Sequence, residues 1–191
     1  MNEILLFTDR LKSETQQQHS AIEQAYWMQQ LMHPALTKEQ YTGILKKWHP
    51  IFFSFEKQLE DNKEAVEKII PDWDSRKKTA LLEKDISLLG DTIPVPDTDT
   101  DVIAINELVG AFYVLEGSAL GGRVILKKLA QHEWFDSSVG KFFAGYGAET
   151  GSKWMKFRDY LNLYAAEAEK KAGEIIEAAN KTFGILYQQF N

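Results

Sequence analysis

Apolar residues recur every three or four positions through most of this chain, which is the period of a helix with one buried face. Near the N-terminus Leu11, Thr15, His19, Ile22 and Tyr26 fall on one such stripe. Pro34 is expected to close this first helix, and Thr37 followed by Gln40 spells a capping box that opens the next. The second helix carries Tyr41, Ile44, Leu45, Trp48 and Phe52, with a kink expected at Pro50. A third is expected over 75–89, burying Leu81, Leu82, Ile86 and Leu89 and stopping at Gly90. The run DTIPVPDTDTD (91–101) reads as a connecting loop. A strongly apolar helix then spans 102–116, meets GSALGG (117–122) and continues through Val124, Ile125 and Leu129. Beyond FFAGYG (142–147) one helix begins near Thr150, and a last one buries Ile175, Ile176, Ala179, Phe183, Leu186 and Phe190. Period-two alternation and hairpin dipeptides are missing. The pattern predicts an all-α bundle of about seven or eight helices, a single domain over residues 1–191.

Composition narrows the chemistry. Hydrophobic residues make up 44% of the 191 positions and charged residues 26%, which places the chain among ordinary globular proteins. A net charge of −6 with no basic arm argues against nucleic acid as a partner. There is no cysteine, so disulfides, thiolate metal sites, thiol nucleophiles and cysteine-ligated haem are excluded. The start of the chain, MNEILLFTDRLK, does not read as a secretory leader. No uninterrupted apolar run approaches the roughly 18 residues of a membrane span. A cytoplasmic protein, not tied to a membrane and monomeric, is the expectation.

Three features could carry chemistry. Of the four histidines, His33 and His49 precede prolines and His132 sits near a helix end, whereas His19 lies mid-helix with Glu23 one turn later. A carboxylate at that spacing can fix an imidazole's tautomer, as it does for metal ligands. A core histidine satisfied by Glu23 explains the same spacing and is the commoner case. The run EGSALGGRVI (116–125) sets three glycines in an otherwise apolar helix, each costing about 1 kcal/mol relative to alanine. Either a ligand or a tightly packed helix would account for them. It matches neither GxGxxG nor the Walker pattern, and Glu116 would repel phosphate. Lys12, Lys153, Lys156 and Arg158 form a basic set, with Lys12 on the His19 face; solvated surface charges are the plain reading.

RLKSETQQQHSAIEQ (10–24) resembles the proximal helix of haem oxygenases, and FYVLEGSALGGRVI (112–125) resembles their distal helix, especially in the bacterial branch. The similarity runs through the helix order to KWMKFRDYLN (153–162). This resemblance implies that His19 ligates haem iron and Glu23 supports it. It implies that Gly117 and Gly121 lie over the opposite face of the ring, with Ser118 beside them in the catalytic set. Lys12, Lys153 and Arg158 are implied as propionate partners, and Thr15, Tyr113, Gly122 and Phe157 as further haem contacts. Animal-type enzymes carry an aspartate where this chain has Ser118, and an arginine where it has Val114. The implied reaction opens haem to biliverdin, carbon monoxide and ferrous iron, using O2 and electrons from a ferredoxin or reductase. The rival expectations are a non-catalytic haem carrier or sensor, and a hydrolase of the thiaminase-like kind.

Overall fold

The structure is a computed structural model that describes residues 6–96 and 103–191; part of the 91–101 loop and Val102 lie outside the described residues. Ten α-helices follow in order: α1 (Phe7–Glu23), α2 (Tyr26–Leu31), α3 (Lys38–Asp61), α4 (Lys63–Ile69), α5 (Thr79–Leu88), α6 (Ile105–Gly117), α7 (Gly122–Leu129), α8 (Lys141–Ala144), α9 (Thr150–Ala165) and α10 (Glu169–Phe190). Seven of them have eight or more residues, and no strand occurs among the described residues, so the fold is the all-α bundle that the periodicity predicts.

α6 runs through the middle of the bundle against α10, and Leu108, Val109 and Phe112 are buried there. Close approach is possible because α6 carries Gly110: a Cβ at that position would lie 2.6 Å from both Ala178 Cβ and the Ile175 carbonyl oxygen. The stretch Ile105–Leu129 is apolar and long enough to cross a membrane by composition, but half of it is buried inside the bundle, as in a core helix. α1 packs along α10 and α9, and α3 packs on α5. The aromatic rings of Trp48, Phe52, Phe142 and Phe190 meet between α3, α8 and α10, with Trp48 and Phe190 centroids 4.6 Å apart.

Helix boundaries depart from the sequence pattern in three places, one of them α6, which starts at Ile105 and leaves Ile103 and Ala104 outside the helix expected from 102. The first helix stops at Glu23, well before Pro34, because Ala25 turns extended (φ −60°, ψ 143°) and is fully buried. Tyr26 thereby leaves the stripe and is 50% exposed. The third predicted helix begins at Thr79, after a 3-10 turn over Trp73–Arg76 that carries the Arg76 side chain into the interior. Leu81 on that helix is half-buried where full burial is expected. The capping box of Thr37 and Gln40 is formed, Pro50 sits inside the unbroken α3, and Gly90 ends α5 with a left-handed φ of 82°.

Candidate functional site

A cavity of about 560 Å³ opens between α1 and the α6–α7 junction. Helical spacing on α1 turns Lys12, Thr15, His19 and Glu23 toward it, while Leu11 and Ile22 anchor the helix in the core. The facing wall is Tyr113, Val114 and Gly117 of α6 followed by Ser118, Ala119, Leu120 and Gly121, which form a 3-10 turn before α7. Trp48, Phe142, Phe143, Phe183 and Leu186 close the interior side.

His19 is the only one of the four histidines on this cavity. Its side chain is half exposed there, edge-on to Phe183 at 5.7 Å. A histidine serving the core would be covered; this one presents its ring to open space. Glu23 Oε1 stands 3.8 Å from His19 Nδ1, close enough for charge interaction and too long for a hydrogen bond. The other three are occupied elsewhere. His33 Nδ1 accepts a bond from the Ala35 amide, His49 is buried with Nε2 3.2 Å from Glu83, and His132 stacks on Trp134.

The three glycines behave differently. A side chain at Gly121 would meet nothing within 4 Å, so its face is open, and one at Gly117 would touch only the Trp154 ring at 3.6 Å. Gly122 instead presses on the Phe143 carbonyl oxygen, 2.0 Å from where its Cβ would stand, and does not line the cavity. Ligand space and tight packing therefore both apply, to different glycines of one run. Ser118 Oγ donates to the Leu115 carbonyl at 2.6 Å.

The structure brings Lys12, Thr15, His19, Glu23, Tyr113, Gly117, Ser118, Gly121 and Arg158 to this cavity and leaves Gly122, Lys153 and Phe157 off it. Phe157 is fully buried against Phe112 and Trp154 beneath the Arg76 guanidinium. Lys153 donates to Ser75 Oγ at 2.7 Å and lies over the Tyr146 ring, away from the opening. Arg158 is held by Asp9 at 2.6 Å and by Thr8 Oγ1, whereas Lys12 is exposed with no ion pair among the described residues. Thr15 Oγ1 donates to the Leu11 carbonyl, and burial raises the Tyr113 hydroxyl pKa, with Thr15 and Arg158 opposing the rise.

Behind the glycine wall lies a buried charge cluster that the sequence pattern does not reveal. Glu116, the residue before Gly117, accepts from Arg76, from Lys78 Nζ at 3.1 Å and from the Tyr146 hydroxyl at 2.7 Å. Arg76 also grips Asp72 with two bonds of 2.9 and 3.0 Å. Burial works against the Arg76 charge, but Asp72 and Glu116 outweigh it and hold the guanidinium above its ordinary pKa. A glutamate at the end of the apolar second half of α6 is the one sequence signal for this cluster, since a buried carboxylate needs a partner.

The cavity's donor set suits a particular kind of ligand. Among the described residues no three His, Asp or Glu side chains come together to hold a bare ion. One imidazole facing an open, largely apolar slot fits a metal that brings its own equatorial ligands, and the opening carries cations for acidic substituents. Haem meets each of these conditions.

The family model for heme oxygenase matches residues 5–191. A heme oxygenase of Xanthomonas campestris pv. campestris (strain 8004) is 28% identical over 153 residues, 79% of this chain and 89% of that protein. The heme oxygenase of Leptospira interrogans superposes with a TM-score of 0.82 at 18% identity, covering 97% of this chain and 98% of that one. The NO- and CO-bound enzyme of Neisseria meningitidis gives 0.81 at 24% identity, covering 97% and 90%. Heme oxygenase-1 of Synechocystis sp. PCC6803, in complex with heme, gives 0.79 at 16% identity, covering 98% and 91%.

Proposed function

The chain belongs to the haem oxygenase family and is an enzyme of that type, and from that premise we propose that it takes haem into the α1–α6 cavity and converts it to biliverdin, carbon monoxide and ferrous iron. The whole chain acts as one haem oxygenase domain in this reading. The observation that carries it is His19: the one histidine on the cavity, placed across from a wall of glycine backbone. When bound, haem supplies both the iron that activates O2 and the porphyrin that is oxidised.

The protein's own groups do the positioning. His19 would hold the haem iron through an imidazole, which donates less electron density than a thiolate. Glu23 biases the His19 tautomer by charge across their 3.8 Å gap. Gly117 and Gly121 would leave a bound ring unshielded on their side, because no side chain projects from them. Lys12 is the free cation for a haem carboxylate, while Arg158 is already tied to Asp9. Apolar walls exclude bulk water and supply most of the affinity. Electrons come from a ferredoxin or reductase in this reading, and the reaction takes place in the cytoplasm.

Hemin titration of wild type and His19→Ala tests the assignment. We expect His19→Ala to lose the wild-type spectrum of bound ferric haem and to recover it with added imidazole. The same loss from His49→Ala or His132→Ala instead would refute it.

A further inference from the structure

Four formally charged side chains line the cavity: Lys12, Glu23, Lys78 and Arg158. Lys12 is exposed, and the side chains of Glu23 and Arg158 keep 59% and 25% of their solvent contact, whereas Lys78 keeps 3%. Lys78 has no part in positioning haem in that reading, and burying an ammonium against an apolar cavity is unfavourable unless something is gained.

The groups around Lys78 come from every element packed on it. Glu116 of α6 accepts its ammonium at 3.1 Å, and Glu56 of α3 sits near its backbone amide, accepting from it and from the Thr79 amide. Arg76 lies on the preceding turn and shares Glu116. The Tyr146 and Phe52 rings stand 5.1 and 5.7 Å from the ammonium nitrogen. Burial pushes the Lys78 pKa down, and Glu116 opposes that. Glu116 itself does not line the cavity, and its two oxygens are shared among Arg76, Lys78 and Tyr146. The pair is therefore oriented: Lys78 lines the cavity, while the Glu116 carboxylate that holds it is turned into the protein, at the foot of the glycine segment.

From this orientation we infer that Lys78, held by Glu116, is a specificity-determining residue that makes the inner cavity prefer small anionic ligands over neutral ones. The inference rests on the haem reading, since the iron is what a small ligand would be held by. At an effective dielectric of about 20, a unit charge about 12 Å away is worth about a tenfold change in binding of an anion and almost none for a neutral molecule. A purely structural Lys78, tying the start of α5 to α6, would change both ligands alike.

The test uses full-length ferric haem-loaded protein at about pH 8, where azide is an anion and imidazole is neutral. Dissociation constants for each are read from visible spectra of wild type, Lys78→Met and Lys78→Arg. We expect Lys78→Met to weaken azide about tenfold while imidazole moves less than about twofold, and Lys78→Arg to restore azide. Lys78→Gln serves if methionine prevents folding, because it keeps a hydrogen-bond donor without the charge. An unchanged ratio of azide to imidazole affinity in the uncharged variants overturns the inference. Wild-type protein that takes up no haem overturns the functional reading as well, and that failure appears before any ligand is added.

Discussion

Tyr41 and His19 show opposite fates of a polar ring in one apolar bundle. His19 faces the cavity, where a ligand can use it. Tyr41 is fully buried among Trp134 and Phe143, and its hydroxyl has no hydrogen-bond partner among the described residues. A stranded buried hydroxyl costs roughly 1–3 kcal/mol. Tyr41→Phe is therefore expected to stabilise the fold by about 1 kcal/mol near neutral pH, read from urea or thermal unfolding. The same residue has a pH signature. Burial raises its pKa far above the ordinary 10.0, so the folded chain keeps a proton that the unfolded chain loses. Stability from this group is complete below about pH 10 and is lost as pH rises beyond it. Tyr41→Phe should flatten that alkaline loss, and an unchanged alkaline slope would show that Tyr41 is not its source.

Among the elements, the glycines make the sharpest predictions, because their neighbours differ while their sequence contexts look alike. Gly122→Ala and Gly110→Ala each drive a methyl group into backbone or helix contacts at 2.0–2.6 Å. We expect each to destabilise by about 3 kcal/mol or more, measured by unfolding. Gly121→Leu meets open space, so its stability should match wild type while haem binding or turnover changes. Equal destabilisation at Gly121 and Gly122 would remove the distinction between cavity wall and packing contact.

That contrast also marks how far the sequence reading reaches. Periodicity locates α3 and α10, because a buried stripe at 3.6-residue spacing is a local property, and α6 stands out by its apolar run. The break at Ala25 escapes it, since an alanine is silent about whether the chain must bend to bury it. On the site, Lys12, His19 and Glu23 are legible because they share one helix face. Lys153 and Phe157 resemble Arg158 in sequence position, yet helix rotation sends one to Ser75 and the other into the core. Arg76, Lys78 and Glu116 are illegible as a cluster, because 38 to 40 residues separate the partners and a basic triplet such as 76–78 ordinarily reads as solvated surface.

At the scale of the whole molecule, the cavity joins α1, α6, α9 and α10, so a ligand that fills it couples helices distant in sequence. Haem at a hundredfold excess over its dissociation constant adds about 2.7 kcal/mol to stability. For a chain of this length that corresponds to a rise in Tm of about 5–10 °C. His19→Ala should lose part of this rise, and imidazole should restore it; an unaltered rise would place the haem elsewhere.

Haem turnover can be followed in a single reaction. Purified protein is loaded with one equivalent of hemin, supplied with ascorbate or a ferredoxin system in air, and followed by absorption spectroscopy. The haem band is expected to decay while a biliverdin band grows and carbon monoxide is released. A haem band that persists with neither product formed would contradict it and identify the protein as a carrier or sensor.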